Sequence, residues 1–215
     1  MRFCTEGPAQ DIPALESCLL GELAHRTVND LCCASAAVRL ADRKDPDAHQ
    51  VLDRLAARLD ALGALQQMLQ APAMGDEADL AERMTALCQA MVAARYAELG
   101  IELRLHIESG WEPIEAGVAW RFLLVVAELL VNAARHAFGR DGGIVRVALA
   151  RRTDAIVCTV RDDGCGAPGP GAGRPGYGSR VVAMLVQELR GQMRTVSSRE
   201  GTCAELIVPD IGRLS

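Results

Sequence analysis

The stretch 114–138, IEAGVAWRFLLVVAELLVNAARHAF, constrains the fold more than any other part of the sequence. It has the spacing of a long helix with apolar side chains around much of its circumference, so other elements must cover it from several sides. The segments that follow or precede it read as strands, at 101–108, 143–151, 155–163, 192–198 and 202–209. Because strands and helices mix here without regular βαβ alternation, we expect helices on one face of a mixed sheet.

Two further helices are predicted in the same half of the chain, at 80–100 and at 179–191. The first ends at Gly100, a residue that commonly terminates helices. Aromatic residues make up only 3% of the chain and hydrophobic residues 50%, so Leu, Val and Ala must fill the core. This composition favours a fold rich in helices.

The N-terminal part of the chain has a different pattern. Helical periodicity runs from Leu15 to Leu69 and is interrupted once, at DRKDPDA around Pro46, which predicts a helical hairpin. The second arm carries a narrow leucine stripe typical of a coiled-coil seam, formed by Leu52, Leu55, Leu59, Leu62 and Leu69 with Gln66 as its polar member.

Two such helices cannot enclose a core, so we expect two hairpins to pair into a four-helix bundle. The sequence thus predicts a homodimer through residues 12–71. The alternative is that the hairpin packs against the rest of its own chain. A linker rich in Pro, Gly and acidic residues, QAPAMGDEAD, then leads to a second domain at 76–210.

The net charge of −5 and the absence of dense Lys/Arg runs argue against nucleic acid or an anionic membrane as a partner. Eight cysteines are scattered without a C-x-x-C pair or a zinc-like spacing, so we interpret them as reduced thiols. The N-terminus lacks the pattern of a signal peptide, and the apolar run FLLVVAELLV is too short to span a bilayer. We therefore expect a cytoplasmic protein without a membrane span.

Polar side chains interrupt the long apolar helix at helical spacing. Glu128, Asn132 and either Arg135 or His136 lie along one face, where they can converge on one ligand. An amide oxygen suits Mg²⁺, Arg and His suit phosphate, and a carboxylate can accept a proton or orient a water. The alternative is an ordinary solvated edge of a helix.

Two glycine-containing segments follow. Asp162 ends a strand and is followed by Gly164 and Gly166, and a carboxylate there suits an adenine amino group. Gly176 and Gly178 lead into a helix whose N-terminus favours an anion. The stretch between them, APGPGAGRP, is interpreted as a mobile lid, and Gly201-Thr202 gives a fainter signal at the start of the last strand.

In this order the segments resemble the N, G1, G2 and G3 boxes of the ATP-binding domain shared by sensor histidine kinases, Hsp90-like chaperones, gyrase-type ATPases and MutL-like proteins. The resemblance covers residues 76–210 and implies an α+β protein whose second domain is an α/β sandwich of Bergerat type. It implies that Asn132 helps to hold Mg²⁺ and that Asp162 reads the adenine of ATP. The other nucleotide-binding residues it implies are Gly164, Gly166, Gly176, Gly178 and Thr202.

The segment GELAHRTVNDL resembles the H-R-x-x-N segment of the HWE-like branch of sensor histidine kinases. The match implies that His25 accepts phosphate, and His25 lies about 200° around the helix from Leu23 and Thr27, away from the apolar stripe. Further residues implied in phosphate contact or support are Arg26, Asn29, Arg135, His136 and Arg180. An ordinary surface histidine is the alternative for His25, and the histidines His49 and His106 are expected to be structural.

The expected function is therefore an ATP-dependent protein histidine kinase in which His25 is phosphorylated and Glu128 assists as base. The phosphoryl group would pass to an aspartate on a response-regulator receiver domain, with input from the dimer, a missing domain or an upstream sensor protein. One alternative is a phosphotransferase that relays phosphate between receiver domains and keeps a vestigial ATP domain. Another is a serine kinase acting on an anti-sigma-type partner, which leaves His25 unused.

Two positions depart from the family pattern. Val28 stands where the family usually has lysine, which bears on phosphotransfer. Asp163 stands where asparagine is common, and this change is expected to leave nucleotide binding intact.

Overall fold

The computed structural model describes residues 75–139, 141–166 and 177–210, together with 56, 59–65, 67 and 72. The hairpin residues before 56 lie outside the described part of the chain, and so do most of the predictions made for the hairpin. Residues 59–65 are helical, in agreement with the second arm of the predicted hairpin. The remaining elements are β1 (Glu77–Ala78), α1 (Leu80–Met91), a π-helix (Val92–Tyr96), β2 (Ile101–Ile107), β3 (Ile114–Glu115), α2 (Ala116–His136), β4 (Gly143–Arg151), β5 (Ala155–Asp162), α3 (Tyr177–Glu188), β6 (Gln192–Ser198) and β7 (Gly201–Pro209).

Five strands form one mixed sheet in the order β2-β4-β5-β7-β6. Strands β2 and β4 are parallel, and every other neighbouring pair is antiparallel. The parallel pair is connected through α2, as a parallel connection requires a crossover. The predicted mixed sheet is confirmed, and β4 and β6 have the bounds that the sequence pattern gave them.

Alternate residues of the sheet face the helices and are buried in one core. The central members are Val147, Leu149, Cys158, Val160, Leu206 and Val208. Helix α2 is buried on most of its circumference, with Phe122, Leu123, Val125, Val126 and Leu130 fully inaccessible. The prediction that this helix needs cover from several sides is confirmed.

Helix α2 is also, among the described residues, the one helix long and apolar enough to cross a membrane by length and composition. Of its apolar window, 67% is buried inside the fold, as in the core helix of a globular domain.

Helix α1 begins where Asp79 accepts a hydrogen bond from the N–H of Glu82 at 3.0 Å, which caps the helix. The sequence predicts a helix as far as Gly100 (φ +65°), but the α-helix ends at Met91, a π-helix follows at Val92–Tyr96, and residues 97–100 form turns. The wider turn of the π-helix places Tyr96 in the core, where its hydroxyl donates to the carbonyl of Leu130 at 2.8 Å. The sequence pattern gave no sign of this turn.

A second, two-stranded sheet pairs β1 with β3 antiparallel, and the N–H of Ala116 donates to Asp76 O at 2.8 Å. The sequence pattern instead predicts a linker at β1 and the beginning of helix α2 at β3. Both strands have two residues, too few for a period of two to be visible.

Leu65, near the end of the helical residues 59–65, is buried and belongs to the same core as α1 and α2. Leu59, in the predicted seam, is 36% exposed. Leu65 therefore packs in the core of the following domain, while Leu59, which the sequence places on the dimer face, is exposed on this chain.

A buried ion pair closes the far end of the sheet. Arg151 at the end of β4 donates to Asp210, just after β7, through Nε (2.5 Å) and Nη2 (2.9 Å). Its Nη1 reaches the carbonyl oxygen of Glu112 at 3.2 Å, and its guanidinium lies 5.9 Å from the ring centre of Trp111. One arginine thus joins two strands and the loop before β3.

Of the described cysteines, Cys88 and Cys158 are buried, Cys165 is exposed and Cys203 is half-buried, and all four are free. Burial raises the pKa of Cys88 to about 12 and raises the pKa of Cys158 as well. These four cysteines match the predicted reduced state.

Candidate functional site

The carboxylate of Asp162 is the centre of the candidate site. Asp162 is the last residue of β5 and is only 6% exposed. Its Oδ1 accepts hydrogen bonds from the N–H of Gly164 at 3.1 Å and from the N–H of Thr202 at 3.0 Å. Within the described part of the chain, Oδ2 accepts no hydrogen bond, so one oxygen is held rigidly and the other can accept from a ligand.

Glycines allow the backbone segments around Asp162 to approach each other. Gly201 has φ +119°, and a Cβ at this position would overlap the carbonyl oxygen of Asp162. A Cβ at Gly164 would overlap the carbonyl of Ala137, just after α2. These glycines are therefore required by packing within the protein, in addition to any role in ligand approach.

The loop after Asp162 is fixed at both sides. The N–H of Cys165 donates to the carbonyl oxygen of Ala137 at 2.9 Å. Gly166 has φ +69°, and a Cβ there would overlap the carbonyl oxygen of Ser198 at the end of β6. The loop therefore packs between the end of α2 and the β6–β7 turn.

Asp163, which departs from the family pattern, has a structural role that either aspartate or asparagine can fill. Its Oδ1 accepts from the N–H of Ile144 at 2.7 Å, and its own N–H donates to the carbonyl of Ile144 at 3.2 Å. An asparagine carbonyl can accept the same hydrogen bond. The aspartate thus serves this position as well as the usual residue would.

The polar residues of α2 become more exposed toward its C-terminal end. Glu128 is 9% exposed, Asn132 is half-buried, and Arg135 and His136 are exposed. The carboxylate of Glu128 lies against the first turn of α3, since a Cβ on Gly178 would overlap its Oε1. Helix α2 thus approaches α3 at Glu128 and the Asp162 loop at its C-terminal end.

The other predicted site residues divide into two groups. Arg180 is exposed in the first turn of α3, and Thr202 contributes its backbone N–H to Asp162. The remaining ones, His25, Arg26, Asn29 and Gly176, lie outside the described residues. The structure therefore brings together the residues of α2, the Asp162 loop, α3 and the start of β7.

Two contributors were missed by the sequence analysis. Ala137 supplies the carbonyl that holds the Asp162 loop, and Tyr96 lies beneath the site with its hydroxyl on α2. Burial raises the pKa of Tyr96, and the charges of Cys88 and Asp162 add to this effect. Tyr96 is one of only two tyrosines in the chain, which is the one signal that could have marked it.

The site offers few metal ligands of its own. Among the residues that the structure describes, no group of three or more His, Cys, Asp and Glu side chains could hold a metal ion. Asn132 and Glu128 provide oxygen atoms one helical turn apart. A Mg²⁺ ion that is bound mainly by phosphate oxygens and water needs only one or two protein ligands, which fits this set.

Comparison with known proteins agrees with the geometry. The sequence model of the histidine kinase-like ATPase domain matches residues 55–208, beginning inside the range predicted for the hairpin. Blue-light-activated histidine kinase 2 of Erythrobacter litoralis is 26% identical over 197 residues, which are 88% of this chain and 56% of that protein. The chain spans about half the length of the curated relatives it matches.

Solved structures give the same result. The histidine kinase domain of the blue-light-activated kinase EL346 of Erythrobacter litoralis is 26% identical, with a TM-score of 0.57 over 81% of this chain and 92% of that one. A structure described as a bacterial phosphotransferase has a TM-score of 0.65 over 94% of this chain and 98% of that one. At 14% identity, that second likeness concerns the fold alone.

Proposed function

Because the chain belongs to the family of histidine kinase-like ATPase domains, we propose that it acts as an ATP-dependent protein histidine kinase in two-component signalling. The observation that carries the proposal is the Asp162 carboxylate, buried and fixed by two backbone N–H groups through Oδ1 only. A ligand amino group can donate a hydrogen bond to Oδ2, whose position is fixed because Oδ1 is held by the backbone. The relatives named as histidine kinases support the same reading.

Each part of the site has a role in this proposal. Asp162 accepts from the adenine amino group, and the exposed side chains of Arg135, His136 and Arg180 face the phosphates. When bound, Mg²⁺ neutralises charge on the transferring phosphate. Asn132 would hold it together with phosphate oxygens, and Glu128 would orient the accepting imidazole or a water.

Phosphoryl transfer then needs an acceptor on the N-terminal hairpin. An imidazole nitrogen of His25 bonds to the γ-phosphorus as the bond to the β–γ bridging oxygen breaks and ADP leaves. Arg26 and Asn29 would support the charged phosphate, and the group would pass to an aspartate of a response-regulator receiver domain. We propose a cytoplasmic homodimer, assembled through residues 12–71, that receives its input from an upstream sensor.

The direct test is incubation with γ-labelled ATP and Mg²⁺. Wild-type protein should acquire acid-labile, base-stable label, and His25→Ala should acquire none. His49→Ala is the matched control, because it also removes a histidine from the N-terminal region and should label like wild type. Label that persists in His25→Ala, or that is stable to acid, would contradict the proposal.

Nucleotide binding is tested separately by the thermal shift that ATP produces. Ligand at about 100 times its Kd stabilises a protein by about 2.7 kcal/mol, which is easily measured. Asp162→Asn should abolish the shift, because its amide presents a donor to the adenine amino group. Asp163→Asn is the control and should keep the shift, since its carbonyl can still accept from Ile144. An unchanged shift in Asp162→Asn would refute the role of this carboxylate.

A further inference from the structure

The sheet face opposite the helices carries a row of side chains that runs across all five strands. The registers pair Arg104 with Arg146, Arg146 with Arg161, Arg161 with Cys203, and Cys203 with Val196. Arg104, Arg146 and Arg161 are exposed, and Val196 is 70% exposed. We name the three arginines on β2, β4 and β5 the arginine row.

Carboxylates near the arginine row are already engaged. Glu102 accepts from Arg104 Nε at 2.7 Å and Nη2 at 3.1 Å, and this hydrogen bond lowers the pKa of Glu102, as do the charges of Arg104 and, to a lesser extent, Arg146. Asp163 accepts from the backbone of Ile144. Arg146 and Arg161 form no ion pair with any described residue.

Stability of the sheet gives no reason for this arrangement. Like charges placed directly opposite each other on neighbouring strands are destabilising. The chain as a whole has a net charge of −5, so the arginine row is a local excess of positive charge on an acidic protein. A feature that opposes both the local pairing preference and the overall charge points to recognition of something outside this domain.

The spacing of the arginine row limits what can bind. Neighbouring strands lie about 4.8 Å apart, so the three arginines are about 5 Å apart along a line. Carboxylates at i, i+4 and i+7 of a helix are separated by about 6 Å and about 4.5 Å along its axis, at about 1.5 Å per residue. In the next row, the small side chains of Ala148 and Thr159 leave room for a helix beside the arginines. His106 and Glu205 flank them in that row, and Glu205 is paired with Arg194 at 3.9 Å.

We propose that the arginine row is a docking surface for an acidic helix of a partner protein, separate from the Asp162 site. Asp162 is adjacent to Arg161 in the chain, but its side chain lies on the opposite, helix-covered face of β5. The partner can therefore bind whether or not the Asp162 site is occupied. Charge complementarity along three strands provides the specificity.

The test uses the full chain and two helical peptides, one with glutamates at i, i+4 and i+7 and one with glutamines there. Fluorescence anisotropy should show binding of the glutamate peptide only, weakening as ionic strength rises above about 0.15 M. Arg146→Glu should weaken this binding about tenfold or more, whereas Arg199→Glu, with the same charge change in the exposed β6–β7 turn, should not. Arg146→Glu should not lower Tm, because the two directly opposed repulsions that it turns into attractions outweigh the attraction to Glu102 that it removes.

Several results would overturn the proposal. Equal binding of the two peptides, or an equal loss of peptide affinity in Arg146→Glu and Arg199→Glu, would contradict it. A lower Tm in Arg146→Glu would show that the arginine row has a structural role. Tighter binding of duplex DNA than of the glutamate peptide would assign the row to nucleic acid. Self-association that disappears in Arg146→Glu, without any peptide binding, would assign it to a second copy of the chain. ATP-induced thermal shift should persist in both variants and shows that the Asp162 site is intact.

Discussion

Two buried aspartates lie at opposite ends of the same sheet, and their surroundings differ. Asp162 ends β5 and Asp210 follows β7, and because β5 and β7 are antiparallel the two carboxylates are far apart. Asp162 is held by two neutral backbone N–H groups on one oxygen. Asp210, 2% exposed, is held by the guanidinium of Arg151 on both oxygens.

This difference distinguishes a carboxylate that can bind a ligand from one that stabilises the fold. A carboxylate that is paired with a buried cation on both oxygens has no oxygen without a protein donor, and its charge is neutralised within the protein. A carboxylate fixed through one oxygen by backbone dipoles keeps both its charge and a free acceptor. Burial alone therefore does not mark a functional carboxylate, but the identity of its donors does.

The largest effect is expected at the structural end. Asp210→Asn leaves the buried Arg151 with only the exposed carboxylate of Glu112, at 3.9 Å, as a counter-charge. We therefore expect a loss of about 3 kcal/mol in the free energy of unfolding, measured with urea. Glu108→Gln breaks the exposed pair between Glu108 and Arg152 (2.6 Å) and should leave the midpoint unchanged. Similar urea midpoints for the two variants would show that the buried Asp210–Arg151 pair stabilises the fold no more than the exposed pair does.

At the binding end, the sensitive feature is the close packing of backbone. Gly164→Ala forces a Cβ into the carbonyl of Ala137, so we expect a loss of about 1–3 kcal/mol together with a weaker ATP-induced thermal shift. Gly139→Ala is the control, because nothing lies within 4 Å of its added Cβ. A Gly164→Ala variant as stable as Gly139→Ala would show that the loop shifts without cost.

Alkaline pH tests the core between the two ends of the sheet. Burial raises the pKa of Cys88 from 9.0 to about 12, so the folded state keeps this proton when the unfolded chain has lost it. The contribution of Cys88 to stability should be complete below about pH 9 and fall toward pH 12, by about 1.4 kcal/mol per pH unit at most. Urea unfolding of Cys88→Ala across this range should show a shallower slope, and parallel slopes would be the contrary result.

The smallest effect on stability is expected for Asp162→Asn, the isosteric counterpart of Asp210→Asn. The carbonyl oxygen of asparagine can still accept from Gly164 and Thr202, so we expect a loss of only about 1 kcal/mol in urea unfolding. Loss of the ATP-induced shift with nearly unchanged stability would place Asp162 in binding. A loss as large as that of Asp210→Asn would show that both aspartates are structural.

Much of the fold was predictable because its strands have clear boundaries. The alternation in 143–151 and 192–198 is bounded by glycines and turn residues, and both strands were predicted with the bounds that the structure has. The position of Asp162 at a strand end followed from the same pattern. Local period and turn chemistry suffice for such elements.

The contacts that build the site were not predictable from the pattern. Thr202 reaches Asp162 across 40 residues, and Tyr96 reaches Leu130 across 34. Periodicity reports which face of an element is buried, and it does not report which backbone group lies opposite a given glycine. The overlap of Gly164 with Ala137 therefore emerges only when β5 and α2 are packed together.

The position of Asp210 has a practical consequence for producing this domain. Since both of its carboxylate oxygens bind Arg151, a shortened chain that stops at Pro209 would lack the side-chain counter-ion that holds this arginine and should be less stable. A fusion joined after Asp210 keeps that counter-ion. The shortest version of the domain should therefore include Asp210 and not end at Pro209.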